Sequence, residues 1–504
     1  MAFPFFMLFN SFSFLLFFPI VTAVYFLTPH KYRWAFLLVA SCVFYMAFIP
    51  YYILILFTAI GIDYYAGMKI EDTEDAKKRK LYLVLSIVST SLLLVVFKYF
   101  NFFNANFKDI AEFLHWNYSI GFLSIALPVG LSFHTFQSLS YVIEVYRKKQ
   151  KAERHLGIYS LYVMFYPQLV AGPIERPQNL LHQFHEKHEF DYLRLRAGLQ
   201  RMLWGFFKKV VIADNLAMYV GLVFGNPEHY SGSALLLASV FFAFQIYCDF
   251  SGYSDIALGS AQVMGFKLME NFKVPYGATT VTEFWRRWHI SLSSWIRDYI
   301  FFPLSMGWRK MGKLGIVCAT MVTFAFAGLW HGASWLFVFF GLLHGVALSL
   351  ELLTSRWRSK ISSFFPDIFS SIFGRLYVFS FWTASLVFFR AGTFSDALSI
   401  VSRFPSGISE FGRTMGTALF QMSIVPFRML FSTLQLYYGN LRFSFLLGLV
   451  LVVIVSEILD YKIGLFVLLN KIPKIFRLIV YVVLVLSIMN LGVTTEVPFI
   501  YFQF

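Results

Sequence analysis

Long apolar runs separated by short basic loops set the pattern of this chain. Residues 81–97 and 333–350 carry no formal charge, and 442–456 is apolar after Arg442. Each run is long enough, or nearly so, to cross a hydrocarbon core of about 30 Å as a helix. Backbone amides have no water to bond in lipid, so such runs predict helices whose hydrogen bonds close within the segment. The apolar/polar alternation of an outer-membrane barrel does not occur. The first 28 residues lack a basic leader region and an A-x-A cleavage site, which reads as a retained first span.

The loops orient the spans. Basic clusters stand at Lys77, Lys78, Arg79 and Lys80; at Arg147, Lys148, Lys149 and Lys151; at Arg309, Lys310 and Lys313; and at Arg356, Arg358 and Lys360. The excess of Lys and Arg on cytoplasmic loops puts all four inside. Residues 81–100 and 122–146 then form an out-and-back hairpin with a polar outer turn at Asn104, Asn106, Lys108 and Asp109. Two runs, 314–330 and 335–350, form a second hairpin with His331 near its deep tip. Residues 157–300 mix apolar runs with polar clusters and predict re-entrant or in-plane helices lining a cavity. No repeat and no soluble domain interrupts residues 1–504, which read as one membrane domain.

Composition agrees. Of 504 residues, 58% are hydrophobic and 14% charged, against roughly 25% charged in soluble domains. The net charge of +15 sits in the short loops, so it speaks for orientation in a lipid membrane and not for a nucleic-acid partner. Cys42, Cys248 and Cys318 lie inside apolar runs with no metal-ligand or disulfide spacing, and no metal is expected.

Three segments place ionisable groups at membrane depth, where they are costly and point to function. In Gln245-Ile246-Tyr247-Cys248-Asp249-Phe250-Ser251-Gly252-Tyr253-Ser254-Asp255, carboxylates and hydroxyls follow an apolar run. Asp249 or Ser251 there either caps a following helix or, with Tyr247 and Tyr253, lines a donor channel. In the segment from Thr282 to Ser291, Thr282 is a helix cap, and Trp285, Trp288 and His289 share a helical face. Arg286 and Arg287 either anchor that helix at the membrane surface or hold the phosphates of a nucleotide-like donor. In Gly328-Leu329-Trp330-His331-Gly332-Ala333-Ser334, His331 is either a helix–helix contact or a base, with the small residues opening space beside its ring.

The segments TEFWRRWHISLSSWIRDY (282–299), GLWHG (328–332), QIYCDFSGYSDIALG (245–259) and AGPIERP (171–177) resemble the signatures of the membrane-bound O-acyltransferase (MBOAT) family. Among its members the bacterial alginate O-acetyltransferases look most similar. SFHTFQSLSYVIEVYR (132–147), FFRA (388–391) and FIYFQF (499–504) extend the resemblance over nearly the whole chain. It departs at FFPLSMGWRK (301–310), where the family more usually carries a tyrosine-containing stretch ending in PLGG and a basic residue.

The resemblance implies an all-α polytopic protein, a bundle of transmembrane, re-entrant and in-plane helices around a central channel. It implies transfer of an acetyl group from cytoplasmic acetyl-CoA, with no permanently bound cofactor, to an extracytoplasmic polysaccharide. The acceptor is reached directly or through a periplasmic SGNH-type acetyltransferase or other relay protein in a bacterial inner membrane. His331 matches the family's invariant histidine and His289 its second key position. Arg286, Arg287, Trp285, Tyr247, Asp249, Ser251 and Tyr253 are the expected donor-binding residues. Competing readings are a lipid or sugar transporter or flippase, a scaffold for an export complex, and D-alanyl transfer to teichoic acid.

Overall fold

The computed structural model describes residues 7–124, 128, 130–170, 172–493 and 499–502. Six residues of the expected first span (1–6), Ala171, Gln503 and Phe504 lie outside them. The described residues are helical with no strand. The helices that build the site are α1 (Ala76–Leu94), α2 (Leu131–Tyr146), α3 (Tyr192–Phe206), α4 (Gly232–Met264), α5 (Val281–Arg287), α6 (Ile290–Ile296), α7 (Lys313–His331), α8 (Trp335–Leu353), α9 (Asp367–Arg390) and α10 (Gly439–Lys462). Among the described residues, eight helical stretches are long and apolar enough to cross a membrane, and α4, α7, α8, α9 and α10 belong to them. The chain is a multi-pass membrane protein.

Two sequence expectations change here. Asn104, Asn106, Lys108 and Asp109 do not turn the chain; helix Phe100–Phe113 runs through them. Asn104 is buried because its amide donates to the carbonyls of Ile120 and Gly121, and its oxygen accepts from Tyr118, so the polar face pairs with the loop that follows. Likewise, the 245–255 segment does not begin a helix. It lies inside α4, whose cap is Ser231, accepting from the Ala234 amide at 3.3 Å. A 33-residue α4 spans about 50 Å at 1.5 Å per residue, so the middle of the expected in-plane region holds a full crossing helix.

The carboxylates in α4 are tolerated because α3 and its continuation answer them. Lys209 pairs with Asp249 and Asp214, both at 2.8 Å, Lys208 with Asp255 at 2.7 Å, and Arg201 with Asp255 at 2.9 Å. Glycines let the two helices approach. A Cβ on Gly205 would stand 2.7 Å from the Gly252 carbonyl, and one on Gly198 2.7 Å from that of Gly259. Small residues at such crossings favour close backbone packing in lipid.

The same device corrects the reading of Gly328 and Gly332. They do not open space beside His331; they let α7 and α8 close on each other. A Cβ on Gly328 would fall 2.1 Å from the Phe337 carbonyl, and one on Gly332 2.3 Å from the Phe337 ring. Gly328→Ala is therefore expected to lower the thermal midpoint in detergent, by the roughly 1–3 kcal/mol typical of overpacking. Gly221→Ala, with nothing within 4 Å of the added carbon, is the control. Equal midpoints for the two variants would refute tight α7–α8 packing.

The basic clusters gather at one end of the bundle, as one-sided loops require. Arg79 donates to the Tyr146 carbonyl, Arg154 pairs with Glu71 and Asp72, and Arg147 reaches the Asp298 carbonyl. Lys313 starts α7 and Leu353 ends α8, which puts the mouth of that hairpin at a common end and His331 at its tip.

Candidate active site

The segment that carries His289 is not one helix. α5 ends at Arg287, Trp288 is extended, and His289 turns left-handed (φ 44°) before α6 begins. The expected shared face of Trp285, Trp288 and His289 is thereby broken. Groups freed by a helix break must find other partners when buried, and a neighbouring segment supplies them. Lys273 N–H donates to the Arg287 carbonyl and Ile290 N–H to that of Asn271. Ser291 Oγ donates to Asn271 Oδ1 at 2.7 Å and accepts from the Ile174 amide. The cap of α5 is Thr280, not Thr282, accepting from the Glu283 amide at 3.0 Å. Glu351 of α8 adds an anion at this N-terminus, taking the amides of Val281 (2.7 Å) and Thr282 (3.0 Å) and the Thr282 hydroxyl. An anion there is stabilised by the first-turn N–H groups.

A cavity of about 720 Å³ runs along α7 from the basic end of the bundle to His331. Ile316, Thr320, Thr323, Ala327 and His331 form one stripe of its wall, spanning roughly 22 Å at 1.5 Å per residue. Trp285, Arg286, Ser293 and Arg297 line the opposite side. Such a volume suits a small-molecule site. The adjacent arginines part company here. Arg286 is exposed, lines the cavity, and makes no ion pair or hydrogen bond among the described residues. Arg287 turns away, binding Glu283 at 2.5 Å and the Val274 carbonyl at 3.2 Å.

At the inner end, unpaired polar nitrogens converge. His331 is buried, and its ring lies 5.6 Å from that of Tyr501, 5.3 Å from Phe389 and 5.2 Å from Trp330, centroid to centroid. His289 is fully buried behind the cavity wall, 4.5 Å from Phe250, 5.9 Å from Trp330 and 6.3 Å from Tyr501. Both ring nitrogens of His289, Nδ1 of His331 and the Trp330 indole nitrogen lack hydrogen-bond partners among the described residues. Buried polar atoms are nearly always paired, which singles this group out as the candidate site.

Tyr501 and His344 escaped the sequence reading. Tyr501 comes from the chain terminus and packs against both histidine rings. Its neighbour Ile500 is held by Asp249, whose Oδ2 accepts the Ile500 amide at 2.8 Å. His344 sits under Trp285, whose indole N–H donates to its Nδ1 at 3.2 Å; indole only donates, so Nε2 is left to donate to Ser385, at 3.1 Å. A lone tyrosine in an aromatic tail and a histidine amid apolar residues carried no spacing signal.

The other expected donor-binding residues lie elsewhere. Tyr247 and Ser251 line a second cavity of about 410 Å³ with Arg201, Lys208 and Glu457, where the Tyr247 hydroxyl binds Glu457 and Lys208 reaches Ser251 at 2.9 Å. Asp249 and Tyr253 line neither cavity; Tyr253 reaches Asn10 at 3.2 Å and stacks on Phe499 at 4.5 Å. At the basic end, burial pushes the Glu175 carboxyl up to about 7, although the Met269 amide and Asn179 bind it.

Residues 52–391 match the family described as MBOAT, membrane-bound O-acyltransferase family. A protein of Azotobacter vinelandii named probable alginate O-acetylase AlgI is 40% identical over 68% of this chain and 68% of its own length. Its namesake in Pseudomonas putida is 34% identical over 99% of this chain and 100% of its own length. A peptidoglycan O-acetyltransferase of Helicobacter pylori is 34% identical over 72% of each. The family match spans more than half of the sequence and includes both site histidines, so the chain belongs to the membrane-bound O-acyltransferase family and is a multi-pass O-acyltransferase.

Proposed function

We propose that this enzyme takes an acetyl group from cytoplasmic acetyl-CoA and delivers it for O-acetylation of a polysaccharide outside the inner membrane, directly or through a periplasmic acetyltransferase. The cavity lined by both the unpaired Arg286 and the buried His331 carries this reading. A thioester with an extended arm fits such a passage, its phosphates at the mouth and its carbonyl beside the imidazole. His331 takes the proton of the acceptor hydroxyl as the oxygen attacks the thioester carbonyl. The tetrahedral intermediate collapses by breaking the C–S bond, and the proton passes to the departing thiolate. An imidazole can accept a proton at a free ring nitrogen and give it up again, as both transfers require. His289 is a positioning residue near that carbonyl. The names of the relatives, alginate and peptidoglycan acetylating enzymes, favour a polysaccharide as the final acceptor.

The test uses purified protein in liposomes, acetyl-labelled CoA on the side of the basic loops, and a soluble glycan or the periplasmic partner on the other. Labelled ester on the far side supports the reading; an enzyme that uses a D-alanyl carrier and ignores acetyl-CoA refutes it. Arg286→Ala is expected to raise the KM for acetyl-CoA roughly tenfold, the worth of one charge-assisted contact to a phosphate. Arg287→Ala should leave that KM unchanged, because its partners are Glu283 and Val274. Equal KM values for both variants would sink the assignment of Arg286.

A further inference from the structure

Helix α1 continues through a widened π-type turn, Val95–Tyr99, before Phe100–Phe113. Such turns recur at functional sites. This one sets two side chains against the end of α7. Lys98 Nζ donates to the Trp330 carbonyl at 2.6 Å and to the His331 carbonyl at 3.2 Å, and the Tyr99 hydroxyl donates to the Leu329 carbonyl at 2.9 Å. The last four carbonyls of a helix have no partner within it, and three consecutive ones are answered here from another helix.

The choice of lysine needs a reason. An ammonium in a membrane span is costly even when half-buried, and among the described residues the hydrogen bonds of Lys98 go to two carbonyls and, at 3.5 Å, to the Ser132 hydroxyl, with no carboxylate among them. A cation at a helix C-terminus is favoured by the converging carbonyl dipoles, so the charge is matched to this one place. Gly332, next in sequence, is extended and leaves the helix (φ −166°). Among the described residues, no following backbone N–H closes the end on which His331 sits.

We propose that Lys98 is a positioning residue for catalysis: it clamps the carbonyl end of α7 and thereby fixes the His331 imidazole at the inner end of the donor cavity. This rests on the reading of His331 as the base. Displacing a catalytic group by about 1 Å can cost on the order of 10²-fold in rate. Loosening the clamp should therefore lower kcat and spare the KM for acetyl-CoA, since Arg286 lines the cavity from another helix and makes no contact with the clamped carbonyls.

The experiment measures kcat and KM for acetyl-CoA, per mole of folded protein, for wild type, Lys98→Met, Lys98→Arg, His331→Gln and the Lys98→Met/His331→Gln double variant. Expected are a kcat roughly 10- to 100-fold lower in Lys98→Met at unchanged KM, partial recovery in Lys98→Arg, and no further loss from Lys98→Met once His331 is gone. A kcat within about threefold of wild type in Lys98→Met, or a loss confined to KM, overturns the proposal. So does an equal additional loss in the double variant, which would mean the two residues act independently. Should Lys98→Met fail to accumulate folded protein, Lys98→Gln replaces it, judged by the same kcat and KM limits. An active His331→Gln enzyme would instead remove the base itself, so the two failures are distinct.

Discussion

His331→Gln is expected to leave a folded, donor-binding protein whose acetyl transfer falls by about 10²-fold or more, the usual contribution of a general base. Glutamine keeps a hydrogen-bonding side chain of similar reach but cannot accept the hydroxyl proton. The clamp on the neighbouring carbonyls, Lys98 and Tyr99, does not involve the imidazole and remains in place. A histidine that served only packing would behave in the opposite way. Its ring contacts with Tyr501, Phe389 and Trp330 would be partly lost, lowering stability, while turnover per folded molecule survived. The measurement is labelled acetyl transfer normalised to folded protein, with the thermal midpoint read in parallel. Activity within about tenfold of wild type would remove the base assignment.

Asp249→Leu is expected to have the largest effect on stability. Asp249 and Lys209 are almost fully buried and 2.8 Å apart. Removing one partner of a buried pair typically costs about 3–5 kcal/mol, because the other charge stays desolvated. Asp214, also 2.8 Å from Lys209, holds the expected loss near the lower figure. The second consequence is at a distance: Ile500 loses the acceptor of its amide, so Tyr501 is no longer fixed between the rings of His289 and His331. Acetyl transfer per folded molecule should fall along with the midpoint in detergent. Asp249→Asn keeps an acceptor for Ile500 and should retain more activity than the leucine variant at a similar loss of stability. An unchanged midpoint in Asp249→Leu would show that the pair contributes nothing, and full activity in it would detach Tyr501 from the reaction.

The crossing helices over 81–97, 333–350 and 442–456, the α7–α8 hairpin and the placement of His331 at its tip follow from the order of residues alone, whereas the expected spans at 1–28 and 122–146 give only the 16-residue helices Phe12–Leu27 and Leu131–Tyr146. Apolar runs of sufficient length can only be helices in lipid, and a charge excess in short loops sets their direction. Local order also held the stripe from Ile316 to His331, since residues three and four apart share a helical face. Tertiary structure decided everything that depends on a distant partner. Arg286 and Arg287 are equivalent in sequence, yet Glu283, Val274 and Tyr461 claim one of them and leave the other to the cavity. Trp288 and His289 look helical in their spacing, but Asn271 and Lys273 take up the freed backbone groups and make the break affordable. Asp249 resembles a helix cap until Lys209 and Ile500, the latter 251 residues away, turn it into a tie between helix and chain terminus. Lys98 resembles a stray charge in a span until it meets the carbonyls of Trp330 and His331. Hydrophobic period fixes which face of a helix is buried. Which buried polar group answers which is a matter of three-dimensional satisfaction, and the candidate site of this protein is built by those long-range pairings.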